Sequence, residues 1–137
     1  MNFGVSDLIE ARGRFENFYD AVVVSWQFGT QGRGTYKNGV EQSKAFVEFV
    51  IETQDNTNAM GSRVTIRMIG CSSIVLHRTN TEYFDVLSSG LHVLGEGSAV
   101  GLEFGDFHEA PLTIKDLQSS RFHVVAETLS WQVSPLS

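Results

Sequence analysis

Asp106, His108 and Glu109 stand together in the segment GDFHEAP, Gly105–Pro111, the densest group of acid–base side chains in the chain. A carboxylate beside an imidazole is what general acid–base catalysis or a hard-cation site requires. The same stretch also reads as a loop, because Gly105 and Asp106 open a turn and Pro111 closes it. The other histidines, His77, His92 and His123, show neither the i, i+4 nor the His-x-His spacing that sets metal ligands side by side. His77 and His123 are flanked by apolar residues and read as packing residues. Cys71 is the only cysteine, and its neighbours Ile69, Ser72 and Ser73 supply no cation to stabilise a thiolate, so it reads as inert. GCSSI and GEGSA both lack the second glycine of a serine nucleophile elbow. These residues predict a non-enzymatic chain with no catalytic set, no cofactor and no metal.

One further segment invites a chemical reading. WQFGTQGRGTYKNG, Trp26–Gly39, places Gly29, Gly32 and Gly34 after an apolar run. A phosphate-binding loop needs a helix behind it, whose N-terminal N–H groups hold the anion. The spacing here is G-x-x-G-x-G, no Lys-Ser/Thr pair follows, and the next apolar block has a strand's period. Asn38-Gly39 is the dipeptide of a tight hairpin turn. The expectation is a connection between antiparallel strands.

The elements that would position these residues follow from periodicity. SDLIEARGRFENFYD holds the one helix, expected over residues 7–18, with Asp7 and Glu10 spaced as a capping box and Leu8, Ala11, Phe15 and Phe18 forming one stripe. Gly13 weakens it and favours a stop near Arg12. From Asp20 the period becomes two. In AVVVSWQF, Val22, Val24, Trp26 and Phe28 share one face; in KAFVEFVIET, Ala45, Val47, Phe49 and Ile51 do. In SRVTIRMI, Val64, Ile66 and Met68 point inward. SIVLH, YFDVL, LHVLG and AVGLEF are further strands, and RFHVVAETLSWQV reads as one long strand bulged near Glu127. Asp20, at the entry to the first strand, is placed to satisfy backbone N–H groups. The result is a mainly β fold, an antiparallel β-sandwich or strongly curved sheet with one short N-terminal helix, in a single domain spanning residues 1–137.

Composition narrows the function. The net charge is −6, with 16 acidic residues against 10 basic. Between Thr79 and Ile114 lie Glu82, Asp85, Glu96, Glu103, Asp106 and Glu109 with no Lys or Arg, a segment that repels nucleic acid and attracts a basic protein partner. No apolar run is long enough to cross a bilayer and the N-terminus lacks a signal-peptide pattern, so the expected compartment is the cytoplasm and no membrane is a partner. The plentiful phenylalanines, 10 in all, leave a homo-oligomer as one alternative. A small-ligand-binding β domain with Trp26, Tyr36, Phe49 and Trp131 around a cavity is another.

GRFENFYDAVVVSW, Gly13–Trp26, resembles the pattern of a small bacterial immunity-protein family from polymorphic-toxin systems. In that pattern a Gly-Arg-aromatic step is followed by two residues and then Phe-His-Asp-Ala leading into an apolar strand. Gly13, Arg14, Phe15, Phe18, Asp20 and Ala21 match it, and Tyr19 replaces the histidine. The resemblance implies a binder that neutralises a co-encoded toxin and carries no catalytic residues.

Overall fold

The computed structural model describes residues 4–30, 35–37, 40–42, 44–76 and 86–136, the second and third of these ranges as backbone. In chain order its elements are α1 (Val5–Ala11), β1 (Ala21–Thr30), β2 (Thr35–Lys37), β3 (Val40–Gln42), β4 (Ala45–Asp55), β5 (Asn58–Ile69) and β6 (Ser73–Leu76). They continue with β7 (Val86–Leu87), β8 (His92–Glu96), β9 (Ala99–Glu103), α2 (Ile114–Leu117), β10 (Phe122–Ala126) and β11 (Thr128–Pro135). The domain is thus mainly β with an N-terminal helical segment. One antiparallel sheet has the order β11-β5-β4-β1-β7 and a second has the order β6-β10-β9-β8. β2 and β3 pair antiparallel with Lys37 opposite Val40; the Asn38-Gly39 turn expected between them lies outside the described residues. Of the three glycines expected in a connection, Gly29 lies within β1, and Gly32 and Gly34 lie outside the described residues; β1 pairs antiparallel with β4.

The N-terminal helix is shorter than expected. α1 ends at Ala11, and Asp7 is not its cap: it lies in the first turn, where its Oδ2 accepts the Gly4 N–H at 3.0 Å. Arg12–Phe18 follows as an irregular 3₁₀-type segment in which Glu16, Asn17 and Phe18 take φ values of 54°, 55° and 60°. This departure from a helix brings Leu8, Phe15 and Phe18 into the core together, all fully buried. A left-handed conformation costs ~1–2 kcal/mol per non-glycine residue. Burying a phenylalanine contributes ~1.5–3 kcal/mol. The two rings and the three strained residues therefore roughly cancel, and the strap is held by further ties. Asn56 donates its N–H to the Arg14 carbonyl (2.9 Å) and its side-chain amide to the Gly13 carbonyl (3.2 Å). The Leu91 N–H donates to the Asn17 carbonyl (3.1 Å), and Trp131 Nε1 donates to the Gly4 carbonyl (2.9 Å).

Strand faces follow the expected alternation in β4 and β5, where Val47, Phe49, Ile51, Val64, Ile66 and Met68 are fully buried. In β1 they do not. The register with β4 slips between Val23 and Ser25, so Val24 forms a bulge. Ala21 and Val23 face the core ahead of the bulge and Trp26 faces it afterwards, while Val22 and Val24 are exposed. RFHVVAETLSWQV is also corrected. It forms two strands, β10 and β11, in different sheets. The break is at Glu127, whose N–H reaches the Ile69 and Gly70 carbonyls, both at 3.2 Å. β5 and β6 part at the same corner, where Gly70 has φ 76° and a Cβ would lie 2.7 Å from the Glu127 side chain. The switch of apolar face near Glu127 therefore marks the point where the chain changes sheets. Of YFDVL only Val86 and Leu87 lie among the described residues, as β7.

Aromatic side chains join the two large sheets. The Phe49 ring lies 4.5 Å from Phe104, which lies 4.5 Å from Phe122, and Trp26 lies 5.3 Å from Phe122, as centroid distances. Phe15 meets Trp131 edge-on at 6.2 Å. Trp26, Phe49 and Trp131 thus pack in one aromatic core, and the Tyr36 side chain lies outside the described residues. Among the described residues no helix is long and apolar enough to cross a membrane.

Candidate functional site

The acidic segment spans β8, the β8–β9 hairpin and the loop that carries α2. Its described carboxylates do not form one surface. Glu103 is fully buried and leaves the set of exposed partner-binding candidates. It sits in β9 between Leu102 and Phe104, where both faces of the sheet are covered, and so its side chain points into protein. Glu96 is exposed at the end of β8, and its Oε1 accepts the Ile114 N–H at 3.2 Å, which fastens the start of α2. Asp106 receives the Arg121 N–H (3.0 Å), Nε (3.1 Å) and Nη2 (2.7 Å). These bonds, from the guanidinium first, hold its carboxyl below the ordinary carboxylate range against the opposing effect of burial. Glu109 is exposed, and Glu82 and Asp85 lie outside the described residues. Arg121 and the exposed Lys115, both beyond the cation-free stretch in sequence, stand in the same region and dilute its charge.

Glu103 organises this region from inside. Its carboxylate accepts His92 Nδ1 (2.8 Å), Ser120 Oγ (2.8 Å) and the backbone N–H groups of Asp106 (2.8 Å), Gly105 (3.2 Å) and Phe107 (3.5 Å). His92 and His123 flank it on the neighbouring strands, each directly opposite Glu103. His123 Nδ1 donates to the Ser120 carbonyl at 2.8 Å, and its Nε2 lies 3.0 Å from Ser73 Oγ. The loop between β9 and β10 is therefore pinned at both ends by one carboxylate. α2 packs over β9 in the space that Gly101 leaves, since a Cβ there would lie 2.7 Å from Leu117.

A second buried carboxylate lies in the other sheet. Asp55, at the end of β4, receives Arg14 Nε and Nη2, both at 2.9 Å, the Thr57 N–H (2.9 Å) and hydroxyl (2.7 Å), and Ser62 Oγ (2.5 Å). The guanidinium, assisted by Ser62 and Thr57, pulls the Asp55 carboxyl well below the ordinary range although burial opposes it. Asp55 raises Arg14 in return. The Gly-Arg-aromatic motif is thereby given a structural account. Arg14 clamps the strap to the β4–β5 turn, Phe15 and Phe18 fill the core, and Ala21 is buried. Asp20 has φ 59° and donates its N–H to the Leu87 carbonyl at 2.9 Å, so it turns the chain into β1 through its backbone. Tyr19 is exposed.

A buried carboxylate on an imidazole Nδ1 orients the ring's Nε2 as a base or metal ligand. The described residues hold no group of three or more His, Cys, Asp or Glu side chains that could bind a metal ion. Asp106, His108 and Glu109 do not converge: Asp106 is turned to Arg121, and His108 Nδ1 meets Ser89 Oγ at 3.2 Å on the surface. Cys71 is half-buried, and burial pushes its thiol up. Sequence reasoning missed both networks. For Glu103 a signal exists, a carboxylate between apolar residues followed at once by a Gly-Asp turn whose amides it can accept. Asp55 has none, being 41 residues from Arg14. No family model matches the chain, and no curated protein or solved structure matches it.

Proposed function

We propose that this domain works by binding another protein, as an immunity-type inhibitor of a basic toxin in the cytoplasm, through the acidic loop after β9 and the adjoining end of β8. The supporting observation is the use made of Glu103 and Asp106. One carboxylate ties both ends of the loop from within, the other ties it to Arg121, and Glu96 and Glu109 are left exposed on the fixed frame. An interface ordered before its partner arrives avoids the entropy of ordering it on binding. Exposed carboxylates on such a frame speed encounter with a cationic partner. We also infer that the two sheets stack as a β-sandwich, with Phe49 and Trp26 on one side of the core and Phe104 and Phe122 on the other.

The test is co-expression with the product of the neighbouring reading frame, followed by stopped-flow association of the two purified proteins. The expected result is rescue of growth and a complex whose association slows about tenfold at low salt in the Glu96→Lys/Glu109→Lys variant, with little change in dissociation. Glu103 is left out because its charge is internal. No rescue and no complex, or an association rate that ignores the charge reversal, overturns the reading.

A further inference from the structure

The outer side of the five-stranded sheet holds a hollow of about 210 Å³ lined by Glu48, Thr65, Arg67, Ser130, Trp131 and Gln132. Its shape follows from side-chain size. Thr65 on β5 and Ser130 on β11 are short, and around them stand the longer Glu48, Arg67 and Gln132. Arg67 lies directly opposite Glu48 on one side and Ser130 on the other, and Thr65 lies opposite Gln132.

Arg67 is oriented without being used up. Its guanidinium carbon lies 4.3 Å from the centroid of the Phe46 ring, and one nitrogen, Nη1, meets Glu48 Oε2 at a long 3.4 Å. Among the described residues Nε and Nη2 have no hydrogen-bond partner, and the side chain is 38% exposed. The Phe46 ring can lie there because Gly29, opposite it on β1, has no side chain: a Cβ at Gly29 would fall 2.9 Å from the ring. Gly29 therefore belongs to a strand and supports Arg67, and is not a loop glycine. The hydroxyls of Thr65 and Ser130 and the amide of Gln132 also have no hydrogen-bond partner among the described residues, which leaves the hollow rich in unused donors.

We propose that this hollow binds a carboxylate group, held side-on by Nε and Nη2 of Arg67 and received by the hydroxyl and amide donors beside it. A planar guanidinium fixed by stacking presents two parallel N–H bonds to a carboxylate and loses little freedom on binding it. The Thr65 and Ser130 hydroxyls and the Gln132 amide complete the cradle. This site lies on the other sheet from the acidic loop, and its chemistry is opposite in sign, so it stands apart from the toxin reading.

The experiment uses the full chain, ¹⁵N-labelled, with the Arg67 Nε–H signal and the Thr65 and Ser130 amides followed by NMR. One arm adds succinate and the other adds acetyl-Gly-Glu-Gly-amide, each against sodium chloride at equal ionic strength. The expected result is a saturable shift at these three positions that chloride does not produce. Response to succinate alone identifies a free small carboxylate as the ligand class, and response to the peptide identifies an acidic side chain of a partner. Arg67→Gln should weaken binding about tenfold or more, the worth of a charge-assisted pair. Glu48→Gln keeps the acceptor that orients Nη1 and removes the competing charge, so it should tighten binding several-fold. Failure of both probes to saturate, an unchanged affinity in Arg67→Gln with the remaining spectrum intact, or weaker binding in Glu48→Gln overturns the proposal.

Discussion

Asp55 and Glu103 are both carboxylates closed off from solvent at the ends of strands, and the protein keeps them by different means. Asp55 faces a cation, Arg14, whose own side chain is 39% exposed while the carboxylate is 0% exposed. Glu103 faces a serine hydroxyl, three backbone amides and the imidazole of His92, with no guanidinium among its hydrogen-bond partners in the described residues. The first arrangement fastens a distant piece of chain, the N-terminal strap, onto a hairpin. The second fastens the loop that follows its own strand. A charge pair spans a long sequence gap with one contact, whereas dipoles have to be gathered locally in numbers. The backbone differs accordingly: the strap runs through three left-handed non-glycine residues, while the Glu103 loop makes its left-handed turn at Gly105, φ 79°.

The largest effect is expected at Glu103. Glu103→Ala takes the acceptor from His92 Nδ1 and from the amides of Gly105 and Asp106, and the cost should be about 3–5 kcal/mol. Urea unfolding measures it, and hydrogen exchange should show that protection is lost first at residues 105–107. Glu103→Gln should fall between, because its amide nitrogen would face donors. A loss in Glu103→Ala below about 1 kcal/mol would break the distinction between the two carboxylates, since one stranded donor already costs that much.

Arg14→Gln should cost less, roughly 2–3 kcal/mol, because water reaches the guanidinium and screens the pair. The pH dependence tests the Arg14 clamp directly. The folded-state pKa of Asp55 is lowered, so its contribution is complete above the unfolded value, about pH 4. It is then lost as the pH falls through the folded value, because the unfolded chain takes up the proton first. Asp106 is lowered in the same direction by Arg121 and adds to the slope. Stability should therefore fall on acidification from about pH 4, and Asp55→Asn should flatten that slope without abolishing it. An unchanged acid slope in Asp55→Asn would show that the Arg14 clamp carries no weight.

How much of this is legible in the sequence depends on distance along the chain. The alternation in β4 and β5 depends on neighbouring residues and is read correctly, as is the burial of Leu8, Phe15 and Phe18. The bulge at Val24 is not legible, because both parities of Ala21–Val24 are apolar and only pairing with β4 decides which of them faces the core. The corner at Glu127 leaves a trace, the change of apolar face, but a trace that fits a bulge equally well. Glu103 counts as surface charge in a linear tally, since nothing in the cation-free run shows that α2 and Ser120 fold over it. Arg14 is visible as part of a motif, but its partner Asp55 is fixed only by the hairpin register. Charge along the chain likewise misleads: Arg121 lies 15 residues from Asp106 and neutralises it in space.

The smallest effect concerns the strap's backbone, and its sign makes it informative. Glu16 is exposed, its carboxylate has no partner among the described residues, and its φ of 54° is one that a side chain disfavours. Glu16→Gly removes a strain of ~1–2 kcal/mol. Against that stands the greater freedom of glycine in the unfolded chain, ~0.4–1 kcal/mol. The variant should therefore be more stable by about 0.5–1 kcal/mol, read as a higher urea midpoint at unchanged slope. In the Glu103 loop the reverse exchange, Gly105→Ala, should destabilise, because a Cβ there would lie 2.8 Å from the Gly90 carbonyl oxygen. Opposite signs at the two positions would mean that the strap is pulled into its strained path by Phe15, Phe18 and the Arg14–Asp55 clamp, while the loop is already relaxed. A loss of stability in Glu16→Gly would mean instead that the strap prefers this path by itself, and the clamp would then be a consequence of the turn and not its cause.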